Sequence, residues 1–305
     1  MAARITISVD ELVRLKADAR GFSFLPKQPV HSLLSGRHAS RLRGRGLAFE
    51  EIRGYVQGDD VRTIDWKVTA RLRSPHVRVY TEERERPVLL VVDQRQPMFF
   101  GSRRAMKSVT AAELAGLAAW RTLDSGDRVG GIVFNEEEKV ILRPQRSQHR
   151  VMQLLHELAR FNERLAGEPL GGEGTLNAAL ESALNVARHD FLVVLISDLD
   201  GADDRTRELA TRIAAHNDML VVAVYDPLGI NLQNHEGMLA EWGGDKYPVP
   251  GEEGFREAFQ SVFADVLERW TSIFRALRVP VLPLSTVIEP AEQIRELFGQ
   301  KMGSP

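Results

Sequence analysis

Three polar side chains lie where the sequence predicts the ends of strands or the start of a helix. Asp93 ends an apolar run, Asp198 follows another at residues 191–196, and Thr175 closes a glycine-rich stretch before a predicted helix. The carboxyl ends of parallel strands meet at one sheet edge, where ligands bind. Two carboxylates and a hydroxyl are oxygen ligands suited to Mg²⁺. Because Asp and Thr are also common in caps and turns, a purely structural role stays open.

The segments that must position these residues alternate between short apolar strands and amphipathic helices. Predicted strands cover residues 87–93, 128–134, 139–142, 191–196, 219–225 and 279–284. Predicted helices cover residues 105–123, 148–162, 177–188, 203–216, 255–277 and 289–298. Near-continuous apolar strands between helices indicate a parallel sheet covered on both faces. We therefore predict an α/β domain with a doubly wound, mainly parallel sheet over residues 87–305.

Residues 1–86 break this alternation and predict an N-terminal helix, near residues 9–19, followed by a small β-rich subdomain. A block within it combines turn residues, charges and a tryptophan: Asp59, Asp60, Asp65, Trp66 and Arg71. We interpret this block mainly as an inter-domain lock, with Trp66 as a wedge surrounded by ion pairs. A catalytic role for its aspartates would need an acid–base partner, and no candidate stands out.

The composition excludes several classes of protein. The chain has no cysteine, so disulfides, zinc ribbons and thiol catalysis are excluded. The formal net charge of −2 gives no general attraction to nucleic acid or anionic membranes. The apolar runs are too short to span a bilayer, and the N-terminus does not resemble a secretion signal. We therefore expect a cytoplasmic protein that does not bind membranes.

The stretch 47–71, with its run Gly58, Asp59, Asp60 before Trp66, resembles the signature of the domain-of-unknown-function 58 family. The similarity extends over roughly residues 20–225, and Lys107 is among the matching positions. The resemblance implies a von Willebrand A-like domain and a MoxR-type AAA+ ATPase as partner. It also implies a chaperone-like adaptor for a client protein. Because the sequence shows no evident nucleophile–base pair, we expect no catalysis of its own. Many members carry membrane helices before this stretch, and this sequence shows none there.

The sequence departs from the metal-ion-dependent adhesion site that the resemblance implies. That site reads Asp-x-Ser-x-Ser after the first strand, and here Asp93 is followed by Arg95 and Pro97 in place of both serines. Thr175 and Asp198 match the two later ligand positions. Because Mg²⁺ requires near-octahedral oxygen coordination, we expect a degenerate site with weak or no metal binding and no cofactor. Either the Arg95 guanidinium replaces the metal and bridges the two aspartates, or it points into solvent.

Two other functions stay as alternatives. Asp93 could be the nucleophile of a magnesium-dependent phosphohydrolase, although such enzymes resemble Asp-x-Asp and Arg95 stands at the second position. A basic loop could instead hold phosphates of a nucleic acid, through Arg37, His38, Arg41, Arg43 and Arg45. Against nucleic-acid binding, no aromatic residue lies between Phe24 and Phe49 and acidic residues follow at once, so a basic loop that docks on an acidic partner surface is at least as well supported.

Overall fold

A computed structural model describes residues 3–19, 47–82, 86–167, 171, 175–230, 239–242, 245–248, 274, 277 and 279–299. The chain forms two units, one of residues Met1–Val30 with Arg86–Pro305 and one of residues His31–Glu85. The predicted division grouped residues 1–86 together, and the structure corrects it: the N-terminal helix belongs to the larger unit. Most of the predicted helix at 255–277 lies outside the described residues.

The larger unit contains a six-stranded sheet. Its strands are β3 (Val88–Asp93), β4 (Val129–Phe134), β5 (Lys139–Gln145), β6 (Leu192–Ser197), β7 (Asp218–Tyr225) and β10 (Val281–Ser285). They lie in the order β10-β7-β6-β3-β4-β5, parallel throughout except that β5 pairs antiparallel with β4 at one edge. The predicted mixed α/β fold with a mainly parallel sheet is confirmed.

Helices cover both faces of this sheet. In the described residues they are α1 (Val9–Arg14), α3 (Lys107–Asp124), α4 (Gln148–Leu165), α5 (Leu176–Val186), α6 (Asp204–Ala214) and α8 (Pro290–Gly299), and the short α7 (Pro227–Ile230) follows β7. Strand β3 shows why both faces must be covered, since Leu90 and Val92 pack in one core with α3 and α4 while Leu89 and Val91 pack in the other with α5 and α6. Successive side chains of a strand point to opposite faces, so an unbroken apolar run fits only a sheet buried on both sides.

Long-range contacts explain why α1 joins the larger unit. Leu12 is fully buried in the core that α3 and α4 share. The indole of Trp120 donates a hydrogen bond to the Leu12 carbonyl at 3.1 Å. Gly116 lets α1 approach α3, because a Cβ at that position would meet Leu12 Cδ2 at 3.3 Å. These partners lie about a hundred residues from α1 along the chain, so local pattern could not indicate them.

The smaller unit consists of the antiparallel strands β1 (Leu47–Gly54) and β2 (His76–Glu82) with helix α2 (Trp66–Leu72) between them. The pairing agrees with the predicted short strands, whereas α2 was not predicted. Helix α2 begins because the Asp65 carboxylate accepts hydrogen bonds from the Lys67 and Val68 amides, and it ends at Arg73 in the left-handed conformation. A further antiparallel pair, β8 (Leu239–Trp242) and β9 (Asp245–Pro248), follows β7 along the chain.

Candidate functional site

Strand order places two of the predicted site residues side by side. Asp93 is the last residue of β3, and Asp198 comes directly after β6. These strands are parallel neighbours in the sheet. After β3 the chain places β4 and β5 on one side of it, and then places β6, β7 and β10 on its other side. Both aspartates therefore lie at the switch point of the sheet, which is where open α/β sheets bind ligands.

The carboxylate of Asp93 is fully buried and fully hydrogen-bonded. Its Oδ1 accepts from the backbone amide of Arg95 and from Arg95 Nε, both at 3.0 Å. Its Oδ2 accepts from Arg95 Nη2 at 2.7 Å and from the hydroxyl of Ser197 at 2.7 Å. Four donors therefore occupy the oxygens of this carboxylate, and its charge is balanced by a two-pronged guanidinium contact.

Arg95 is buried with it, since only 6% of the residue is exposed. Its Nη2 also donates to the backbone carbonyl of Asp200 at 2.9 Å, and the guanidinium carbon lies 5.7 Å from the centroid of the Phe134 ring. Burial opposes the charged form, but the charge and hydrogen bonds of Asp93 outweigh it and raise the pKa of Arg95 above its ordinary value. The alternative in which Arg95 points into solvent is wrong.

A second cation balances Asp198. Lys107, the first residue of α3, places its Nζ 2.5 Å from Asp198 Oδ2, while Asp198 Oδ1 accepts from the Asp200 amide at 3.0 Å. The hypothesis that Arg95 bridges both aspartates therefore needs correction. Arg95 contacts Asp93 and the Asp200 carbonyl, and Lys107 holds Asp198.

Thr175 does not join this network among the residues that the structure describes. It is exposed, and its hydroxyl caps α5 by accepting from the Ala178 amide at 3.1 Å. A capping threonine is thus what the structure shows at this position. Its role as a ligand position stays a prediction.

Two further carboxylates near this edge lack a cationic partner among the described residues. Glu136 Oε1 accepts from the Gln96 amide at 2.6 Å, while its Oε2 is buried without a hydrogen-bond partner there. Burial raises the pKa of Glu136, and the charge of Asp93 adds to the effect. Asp200 is exposed at the surface, but its carboxyl is partly desolvated by the surrounding chain, and this together with the neighbouring Asp198 raises its pKa. The sequence did not predict four of the site residues, namely Lys107, Glu136, Ser197 and Asp200. Ser197 and Asp200 lie within two positions of Asp198, and this proximity in the sequence could have indicated them.

The donor set at this edge does not fit a magnesium ion. The oxygens of Asp93 are occupied by Arg95 and Ser197, and Asp198 is occupied by Lys107. Two fixed positive charges thus stand beside the carboxylates that would ligate the ion. Within the described ranges, no group of three or more His, Cys, Asp or Glu side chains is placed to hold a metal.

The charged block of the smaller unit is tied together internally. Asp59 forms a two-pronged ion pair with Arg53, both contacts at 2.8 Å, and Asp60 accepts from the Arg62 amide at 3.0 Å. Asp65 is buried, caps α2 and pairs with Arg78 at 2.7 Å. All three aspartates therefore have structural partners.

Trp66 and Arg71 are the exposed members of the same block. The indole of Trp66 is 70% exposed, which gives no support to the wedge interpretation; that interpretation stays a prediction. Arg71 is also exposed and forms no ion pair with a described residue. The basic loop that includes Arg37 and Arg45 lies outside the described residues. No helix in the described part of the chain is long and apolar enough to cross a membrane.

The chain belongs to a family described as "Protein of unknown function DUF58", whose model matches residues 51–240. Uncharacterized proteins from Mycobacterium tuberculosis and Mycobacterium bovis are 32% identical over 221 residues, which cover 72% of this chain and 68% of theirs. Among solved structures, the conserved hypothetical protein BatB from Bacteroides thetaiotaomicron aligns at 14% identity with a TM-score of 0.43, covering 70% of this chain and 98% of that one. An uncharacterized membrane spanning protein from Vibrio fischeri aligns over the same shares at 13% identity with a TM-score of 0.22. The family assignment rests on the sequence matches.

The buried ion pair yields a stability prediction. Replacing Arg95 by methionine leaves the Asp93 charge buried without its partner, so we expect the free energy of unfolding to fall by about 3–5 kcal/mol in urea titrations. The matched control is Arg205→Met, which removes an exposed guanidinium paired with Glu181 and Glu208 and should leave the stability close to that of the wild type. A loss below about 1 kcal/mol in Arg95→Met would contradict the burial described above.

The raised pKa of Glu136 yields a pH prediction. The Glu136 carboxyl keeps its proton to a higher pH in the folded protein than in the unfolded chain. Its contribution to the free energy of unfolding therefore declines as the pH rises from its unfolded pKa to its folded pKa. Glu136→Gln keeps the oxygen that accepts from Gln96 but cannot ionise. We expect it to match the wild type at about pH 3 and to be more stable at neutral pH. Equal stabilities at both pH values would show that Glu136 ionises freely.

Proposed function

We propose that this protein is a non-enzymatic interaction adaptor that works with a MoxR-type AAA+ ATPase in the maturation or remodelling of a client protein. The partnership follows from the family resemblance carried by residues 47–71 and the matching segments after them. In this proposal the sheet is a von Willebrand A-like one whose adhesion site has exchanged its metal for side-chain cations. The proposal places the protein in the cytoplasm.

The state of Asp93 is the observation that favours an adaptor over an enzyme. A carboxylate nucleophile must present a free oxygen to its substrate, whereas both oxygens of Asp93 are buried and hydrogen-bonded. Ser197 does not offer a substitute, since its hydroxyl is buried and donates to Asp93. The hydroxyl of Ser197 and the carboxylate of Asp93 form a hydrogen-bonded pair, but both are fully buried and so neither is open to a substrate. The phosphohydrolase alternative therefore has no support from this geometry.

The same edge is the proposed docking surface for the partner. Asp93, Arg95 and Asp198 are buried, so they shape and stiffen the edge, while Asp200 and Thr175 are exposed and available for contact. Buried pairs that fix loop positions reduce the entropy that a surface loses on binding. A partner would accordingly bind a preformed surface. The charges of Asp93, Arg95 and Asp198 are already paired below that surface.

The test is an ATPase assay with a purified MoxR-type ATPase, with and without this protein. We expect no turnover by this protein alone, a direct complex with the ATPase, and a change in its rate of ATP hydrolysis. Asp200→Lys should weaken the complex about tenfold or more if the sheet edge is the docking surface. Glu181→Lys, a charge reversal at an exposed position on α5, is the matched control and should bind like the wild type.

A phosphatase screen of this protein alone completes the design. Magnesium-dependent phosphate release that disappears in Asp93→Asn would overturn the adaptor proposal in favour of the hydrolase. Absence of any complex with the ATPase, in the presence or absence of ATP, would overturn the proposed partnership.

A further inference from the structure

Helix α2 presents an unusual outer face. Five of its seven positions are exposed, and four of them, Trp66, Lys67, Ala70 and Arg71, follow the spacing i, i+1, i+4, i+5 and so form one continuous surface. The indole of Trp66 is 70% exposed on this surface. Exposed helix faces are ordinarily polar, and tryptophan is among the side chains most costly to leave in water.

The opposite side of α2 already attaches the helix to its own unit. The Asp65 amide donates to the His76 carbonyl at 2.9 Å, and the His76 amide donates to the Thr69 hydroxyl at 3.0 Å. The Asp65 carboxylate caps the helix and pairs with Arg78. Trp66 takes no part in these contacts, so the position of α2 within the smaller unit does not depend on its indole.

The charges on helix α2 itself are one-sided. The helix carries Lys67 and Arg71 and no acidic residue, and both cations are exposed without an ion pair to any residue described in the structure. The carboxylates of Asp59 and Asp65 are already paired with Arg53 and Arg78. The exposed indole of Trp66 therefore shares its helix face with two cations that this helix does not neutralise.

We propose that this face of α2, defined by Trp66, Lys67, Ala70 and Arg71, binds a protein segment that carries acidic residues around an apolar side chain. Tryptophan and arginine are the residues that most often dominate protein–protein interfaces, because they bury large areas and form directed contacts. The basic rim selects acidic partners and would make association sensitive to ionic strength. This surface belongs to the smaller unit and shares no residue with the sheet edge, so the inference does not depend on the identity of an ATPase partner.

Exposed aliphatic side chains of the same unit favour a protein over a nucleic acid. Val56, Val61 and Leu72 are each more than half exposed. Such side chains gain by burial against apolar atoms, which phosphates and riboses do not offer. Sites for single-stranded nucleic acid place several aromatic side chains along a groove, whereas Trp66 is the one aromatic more than half exposed among the described side chains of this unit.

The experiment uses the full chain and three labelled probes of equal length in fluorescence anisotropy. The first is a 12-residue peptide that combines glutamate with leucine and phenylalanine, the second has lysine in place of glutamate, and the third is a 12-nucleotide single-stranded DNA. We expect saturable binding of the acidic peptide alone, weakened by salt. Trp66→Ala and the double variant Lys67→Glu with Arg71→Glu should each weaken it about tenfold or more.

A matched control reverses two exposed arginines on another helix, Arg207→Glu with Arg212→Glu on α6, and should bind like the wild type. Thermal unfolding is measured on every variant, and Trp66→Ala should keep the wild-type Tm within about 2 °C, as an exposed position implies. A large fall in its Tm would show that Trp66 packs within this chain and would overturn the proposal. So would absence of saturable binding by the acidic peptide, or stronger Trp66-dependent binding of the DNA.

Discussion

The structure depends on a carboxylate that is buried at the switch point of the sheet. Asp93 has no solvent to stabilise its charge, so the protein must supply a counter-charge and hydrogen bonds at the end of β3. Arg95 provides both, and its remaining hydrogen bond to the Asp200 carbonyl fixes the loop after β6. Ser197 completes the arrangement from the neighbouring strand. The edge of the sheet therefore has one preferred conformation without any bound ligand.

Charge pairing at this edge also determines what chemistry is available. Arg95 and Lys107 pair with Asp93 and Asp198, so neither carboxylate presents a free charge at this edge. Glu136 and Asp200 form no ion pair among the described residues, and desolvation raises the pKa of both. The edge therefore combines a paired interior with an acidic margin. In the smaller unit, helix α2 has the opposite charge, since it carries Lys67 and Arg71 beside the exposed indole of Trp66.

The strands and the residues at their ends could be predicted from the sequence. A short apolar run followed by a carboxylate, as at Asp93 and Asp198, is typical of a buried strand that ends at a loop. The sequence also allowed the hypothesis that the Arg95 guanidinium pairs with Asp93, and the structure shows that contact. The pairing of Lys107 with Asp198 could not be predicted, because it joins residues 91 positions apart. Helix α2 was missed because Trp, Val and Thr favour strands, and a single cap at Asp65 decides the local structure. The attachment of α1 likewise depends on Trp120 and Gly116, which no local pattern connects to Leu12.

The central claim is that side-chain cations hold this edge in place of a metal, and calorimetric titration of Mg²⁺ tests it most directly. The wild type should show no stoichiometric binding at millimolar Mg²⁺. A variant with Arg95→Ser, Pro97→Ser and Lys107→Ala frees both aspartates and restores two hydroxyl ligands, so it should gain measurable affinity. A one-to-one site of micromolar affinity in the wild type, lost in Asp93→Ala, would contradict the account.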